Sequence, residues 1–366
     1  MTTRRDVLGG LSVAGVGALA LGGVQPAIAQ PQPPFRILSI DGGGIKGVVP
    51  AEILLELDNR LKAAGKKGVA QCFDLFAGTS TGCIIAAALA SSPVAPSPGL
   101  YEDPQKIIDI YRTKGPVIFE RGSGLRERTR VKRTDVFGQL YWSEGKRTAF
   151  AEAFGQVTLG QLTRNFVGTF YRMSPGEPGA VIAGAGPLFR SNGAAAHDGY
   201  RLCDVVDASS AAPIFFNPAE IKTPYTRGVD GGIFANNPSA AAFFAAGALI
   251  DPARIQIVSI GCGRSNVSYP SAVDTWGPVE WAMPKEGIPL INIMADSQSS
   301  AIDIQLKGFL GPRYLRLQPS LAGLGKGFGR IDDASPANLD KLRAAARAYT
   351  ALPDINTQLN QLVASL

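Results

Sequence analysis

The chain has 366 residues, is 45% hydrophobic and 18% charged, and carries a formal net charge of +6. That length can bury a large core, as one big α/β domain or two ordinary ones, and the composition excludes a disordered chain. The mild basic excess has no aromatic-interleaved motif to give it a nucleic-acid partner, and a single histidine with no CxxC or Cys/His cluster leaves no zinc site.

Taken in order, the chain opens with a leader. Thr3-Arg4-Arg5-Asp6-Val7-Leu8 is a twin-arginine start, Val7 to Val24 is a Gly-rich, moderately apolar run, and Ala27-Ile28-Ala29 is an AxA cleavage site. Residues 1–29 therefore predict a twin-arginine signal peptide, with the export machinery as partner, cleavage after Ala29 and a periplasmic or secreted mature protein. The competing reading is a membrane anchor, which the many glycines and Pro26 oppose. Twin-arginine substrates fold before export, so Cys72, Cys83, Cys203 and Cys262, all in apolar settings, read as buried free thiols.

Residues 30–366 carry no repeat and no convincing linker, which predicts a single domain. Arg36 to Ile40 is a short apolar strand ending at Asp41. Gly42-Gly43-Gly44-Ile45-Lys46-Gly47 follows, and then a helix from about Pro50 to Ala64, with Ile53, Leu54, Leu57 and Leu61 on one stripe. The loop is literally GxGxxG, so a nucleotide site is one candidate reading; the acidic residue expected about 20 residues later on a second strand is absent. Its unhindered backbone N–H groups suit a developing oxyanion as well as a phosphate.

Phe73 to Ala77 reads as a buried strand and Cys83 to Ala90 as a helix apolar all round, with Gly78-Thr79-Ser80-Thr81-Gly82 between them. A GxSxG turn in that context projects its serine from a strained backbone, which makes Ser80 a candidate nucleophile. The alternative is a plain Gly-rich helix entry.

Beyond this point Tyr101 to Arg112 and Lys146 to Phe154 read as helices, and Phe166 to Met173 and Ala180 to Ala183 as strands. Between the first two helices, Arg121 to Arg133 is a basic run, either a solvated loop or a patch for an anionic membrane surface. Gly184 to Tyr200, with His197, reads as loop, and Leu202 to Ala211 as helix. Phe215 and Phe216 are either core or part of an acyl-binding wall. Asp230 precedes Gly231 and Gly232, as a turn aspartate commonly does. A helix over Ser239 to Ile250, a buried strand over Arg254 to Ile260, a helical stretch within Ile288 to Phe309 and a strand over Tyr314 to Leu317 follow. Ser335 and Pro336 then start a helix running towards Leu352.

Asp41 to Gly47, Gly78 to Gly82 and Asp230-Gly231-Gly232, in that order and spacing, resemble the patatin-like phospholipase family. The resemblance extends to Ser209 to Pro213, Asn236-Asn237-Pro238, Ser259 to Gly263 and Asp332 to Pro336, and covers most of the chain from Phe35 to about Leu352. It implies a three-layer α/β fold, with a mainly parallel central sheet between helices on both faces. It also implies a lipid acyl hydrolase that needs no cofactor or metal and acts on an acyl-lipid substrate or a membrane surface. Carried over by motif, Ser80 is the nucleophile, Asp230 the base, and the N–H groups of Gly42, Gly43 and Gly44 the oxyanion hole; Lys46 matches a basic position of the glycine loop. Three rivals are a Ser, Asp, His triad built from Asp135 and His197, a nucleotide-binding protein, and a non-catalytic membrane-binding protein of the same fold.

Overall fold

The computed structural model describes residues 32–96, 100–120, 139–264, 274–277, 280–281, 288–325 and 330–366. The leader over 1–29, the basic run from Arg121 to Arg133 and Asp135 lie outside the described residues. Pro34–Leu366 forms one compact unit. Among the described residues no helix is long and apolar enough to cross a membrane.

Eight strands make one sheet: β1 (Phe35–Ile40), β2 (Leu75–Thr79), β3 (Asn165–Arg172), β4 (Gly179–Ala185), β5 (Ala219–Lys222), β6 (Tyr225–Asp230), β7 (Ile255–Ile260) and β8 (Tyr314–Leu317). They lie in the order β5-β6-β3-β2-β1-β7-β8, with β4 also paired to β3. The run β3-β2-β1-β7-β8 is parallel throughout, and the pairs of β3 with β4, β3 with β6 and β5 with β6 are antiparallel. Strands covered on both faces favour apolar residues, and β1 and β7 are mostly apolar, with their buried polar exceptions Ser39 and Ser259 both bonded to Ser239 Oγ.

Helices α1 (Val48–Ala63), α2 (Thr81–Ser91), α3 (Pro104–Ile118), α4 (Ser143–Phe154), α5 (Leu202–Ser209), α6 (Ser239–Gly247), α7 (Pro289–Leu310), α8 (Pro336–Thr350) and α9 (Pro353–Ser365) cover the sheet. Alternation along β1 sorts them. Leu38 and Ile40 face the larger core with α1 to α5, α8 and α9, whereas Ile37 faces the smaller one with α6 and α7. Each fully buried leucine or isoleucine contributes about 1.5–3 kcal/mol. This is the three-layer α/β architecture expected of the chain.

Several elements differ from their sequence reading. β2 lies two residues further on than expected, because the Asp74 carboxylate accepts the Arg36 N–H at 2.7 Å before the strand begins, and Thr79 is still paired, to Thr169. Helix α3 runs on to Ile118 with Pro116 inside it. Gly184 to Tyr200 is not all loop: it holds the end of β4 and a short helix, Pro187–Ser191. Asp230 closes a strand, β6, rather than sitting in a free turn, and α9 follows the helix that was expected to be the last.

Candidate active site

The site is set by β3. Its positions 169 and 170 pair with Thr79 at the end of β2 and Asp230 at the end of β6. Because β4 occupies one edge of β3 from Phe166 to Arg172, β2 and β6 must share the other. β2 runs parallel to β3 and β6 antiparallel, so their carboxyl ends meet head-on, and Ser80 and Asp230 emerge where they meet.

Ser80 has φ 54° and ψ −122°, a conformation rarely taken by a non-glycine residue and costing roughly 1–3 kcal/mol. The surroundings hold it there: a Cβ on Gly78 would strike the Gly82 carbonyl, and one on Gly82 would strike the Ile40 carbonyl. The Ser80 N–H, outside the α2 ladder, donates to Ser209 Oγ at 2.9 Å. Ser80 is buried at the amino end of α2, where the helix dipole favours negative charge.

Asp230 is 5% exposed. Its N–H donates to the Ala211 carbonyl at 3.0 Å, and its Oδ1 accepts from Gly232 N–H at 2.7 Å. Burial pushes its carboxyl up to about 6, while the Ser80 hydroxyl, the Gly232 amide and the Lys146 ammonium pull it down. The chain passes so close to β3 here that a Cβ on Gly231 would collide with the Thr169 side chain and carbonyl. The result is a carboxylate that accepts protons far more readily than an ordinary aspartate.

The glycine loop leaves β1 beside these groups, with the Gly42 Cβ position 3.3 Å from Ser80 Cβ. Of the three amides expected as oxyanion donors, that of Gly42 is already bonded to the Asn236 carbonyl at 3.0 Å, so the Gly42 assignment is corrected. The amides of Gly43 and Gly44 have no partner among the described residues and line the same cavity as Ser80. Gly44 has φ +59°, and a Cβ there would overlap the Ile331 carbonyl. That carbonyl accepts the Ile45 N–H at 2.8 Å. With Gly42 and Ile45 so engaged, the row of free amides that a pyrophosphate needs is broken.

Buried charges anchor this loop. Asp41 takes a two-pronged ion pair from Arg316, at 2.5 and 2.7 Å, and a hydrogen bond from Ser299 Oγ at 3.1 Å. Burial alone would lower the Arg316 pKa, but Asp41 beside it raises it on balance. Lys46 is half-buried on the cavity wall and makes no ion pair among the described residues.

The cavity holds about 220 Å³ and runs from Ser80, Asp230 and the loop between Ile84, Phe150, Phe154, Phe215, Phe216 and Ile331. Phe215 and Phe216 are thus both core and cavity wall. Such a mostly apolar cavity beside these polar groups suits an acyl chain whose carbonyl lies against the loop.

His197 does not line the cavity; it packs against Tyr200 with ring centroids 5.3 Å apart, and burial lowers its pKa. The triad built on it is not assembled. Among the described residues no cluster of three His, Cys, Asp or Glu is placed to hold a metal ion.

Ser209, Lys146, Arg316 and the Asn236 carbonyl had no role in the sequence reading. Ser209 and Asn236 lay in stretches that supported the resemblance, but Lys146 and Arg316 look like ordinary basic residues until their burial is seen.

A family model described as patatin-like phospholipase matches residues 38–243, more than half of the chain. The chain is 28% identical over 342 residues to patatin-like protein 2 of Oryza sativa subsp. indica, covering 84% of this chain and 81% of that protein. It is 26% identical over 340 residues to patatin group J-1 of Solanum tuberosum, with the same coverage of 84% and 81%. Among solved structures, human GIVD cytosolic phospholipase A2 aligns with a TM-score of 0.45 and 11% identity, over 91% of this chain and 61% of that one.

Proposed function

Because the chain belongs to the patatin-like phospholipase family and is, with that family, a lipid acyl hydrolase, we propose that it cleaves carboxylic esters of phospholipids or related acyl lipids through a Ser80/Asp230 dyad. The observation that carries this reading is the meeting of a strained serine and a buried, proton-accepting aspartate where β2 and β6 end against adjacent positions of β3, beside two unpartnered amides and an apolar cavity.

In the first step Ser80 Oγ attacks the ester carbonyl and its proton passes to Asp230. The tetrahedral oxyanion is held by the Gly43 and Gly44 amides, each such donor being worth about 10² to 10³ in rate. Collapse breaks the ester C–O bond, and Asp230 returns the proton to the leaving alcohol or lysolipid. Water then attacks the acyl-Ser80 ester, gives a proton to Asp230, and releases the fatty acid as Ser80 recovers its hydrogen. A base pushed up to about 6 by burial suits this cycle, since it is ionised at neutral pH yet basic enough to take the serine proton.

The test is hydrolysis of a panel of phospholipids, galactolipids and simple esters, with products identified by mass, alongside fluorophosphonate labelling. Wild type is expected to be labelled at Ser80, and Ser80→Ala and Asp230→Ala to lose turnover. Hydrolysis that survives Ser80→Ala in a folded protein would overturn the assignment.

The residues Arg4-Arg5 and Ala27-Ile28-Ala29 support the further proposal that the protein is exported by the twin-arginine route and cleaved after Ala29. Arg4→Lys/Arg5→Lys is expected to hold it in the cytoplasm with residues 1–29 attached; normal export of that variant would refute the route.

A further inference from the structure

Between the two dyad residues lies a turn that touches both backbones. We propose that Ser209-Ser210-Ala211, fixed by Lys146, is the spacer that sets the separation of Ser80 and Asp230, which makes Ser209 and Lys146 positioning residues. This rests on the dyad reading given above.

Ser209 Oγ accepts the Ser80 N–H at 2.9 Å, and the Ala211 carbonyl accepts the Asp230 N–H at 3.0 Å. Residues two apart are separated by at most about 7 Å along the chain, so nucleophile and base hang from one short, stiff piece of backbone. The Ser80 amide has no helical partner, and a buried N–H without one costs roughly 1–3 kcal/mol. Ser209 therefore stabilises the strained elbow itself. Ser209 is fully buried and does not line the cavity, so substrate cannot touch it and any effect on turnover passes through Ser80.

The turn is itself anchored. It follows α5, and at the end of that helix Lys146 brings its ammonium to the Asp207 carbonyl. Lys146 is 1% exposed. Its Nζ forms an ion pair with Asp207 Oδ1 at 3.0 Å and donates to the Asp207 carbonyl at 3.0 Å and to Ser210 Oγ at 3.4 Å. It also lies 4.6 Å from the centre of the Phe216 ring. Burying a lysine costs several kcal/mol that a leucine at the same position would not, so packing alone does not account for it. What it does is lock Asp207 and Ser210, on either side of Ser209.

The experiment compares wild type, Ser209→Ala and Lys146→Met/Asp207→Leu in steady-state hydrolysis, fluorophosphonate labelling and thermal melting. Ser209→Ala is expected to lose roughly 10- to 100-fold in kcat with KM within about twofold, because a small misplacement of the nucleophile acts on the chemical step. The labelling rate should fall in parallel. The double variant replaces a buried ion pair by apolar residues of similar volume, an exchange that folds well in other proteins. It is expected to lose about tenfold or more in kcat. The acid limb of its kcat/KM profile should move to higher pH, since Lys146 no longer favours ionised Asp230. Either folded variant with wild-type kcat overturns the inference; if Ser209→Ala does not fold, the double variant decides. A wild type that neither labels nor hydrolyses would instead remove the dyad reading.

Discussion

Replacing the base is expected to make the protein more stable. Burial pushes the folded Asp230 carboxyl up to about 6 from an ordinary 3.8, and at 1.36 kcal/mol per pH unit that gap is about 3 kcal/mol. The sign follows from which state binds the proton. Below pH 3.8 both the folded and the unfolded chain hold it; as pH rises the unfolded chain ionises first, so folding stability drains away until the folded carboxyl ionises near 6. The amide introduced by Asp230→Asn stays neutral at every pH and keeps the shape, so the variant escapes the penalty. Urea denaturation at pH 7 should show the variant more stable by about 3 kcal/mol, with turnover lost. Near pH 4 the difference should shrink to under about 1 kcal/mol. A folded variant no more stable than wild type at pH 7 would refute the claim that burial raises this carboxyl, and with it the account of why an aspartate can serve as base.

The same geometry makes four other outcomes measurable. The kcat/KM profile should rise through an acid limb at about 6, giving roughly tenfold more activity at pH 7 than at pH 5; a limb near 4 would mean an ordinary aspartate. Gly44→Ala puts a side chain at φ +59° against the Ile331 carbonyl and should displace a donor, lowering kcat about 100-fold with little change in KM; unchanged kcat would remove Gly44 from the oxyanion hole. His197→Ala should keep turnover within about twofold, as its ring is outside the cavity, and a tenfold loss would revive an imidazole mechanism. Arg316→Met leaves Asp41 buried and unpaired, so urea melts should show a loss of roughly 3–5 kcal/mol; under 1 kcal/mol would mean that water reaches the carboxylate.

What was legible in the sequence depended on how locally it was encoded. β1, β7 and the elbow were readable because an apolar run and its glycines lie next to one another. β6 was not: Tyr225-Thr226-Arg227-Gly228-Val229-Asp230 has no apolar run, and becomes a strand by pairing with β5 over Tyr225 to Gly228 and with the edge of β3 beyond β2 over Gly228 to Asp230. Asp230 therefore read as a turn residue with a role supplied by resemblance. The Gly42 amide could not be judged because its partner, the Asn236 carbonyl, is remote in sequence and brought near only by folding. Lys146 carried no signal in the sequence, where a lysine on a polar helix looks ordinary, yet its helix turns it inward onto Asp207. α9 carries Ile355, Leu359 and Val363 on one stripe, a signal present in the sequence but not taken up.

The head-on meeting of β2 and β6 also bears on how this enzyme can change over time. Because side chains alternate faces along a strand, sliding β6 by one residue along β3 would turn Asp230 to the opposite side of the sheet rather than move it slightly. The site is thus all-or-none with respect to such slips, and has no half-working neighbour one step away. Between Ser80 and Asp230 in sequence, that alignment draws on β3, β6, the turn at Ser209 and the Lys146 of α4 that fixes the turn. The apolar lining of the cavity comes from other side chains, among them Ile110 of α3 and Phe150 of α4, so it can be exchanged without moving the register that joins Ser80 to Asp230.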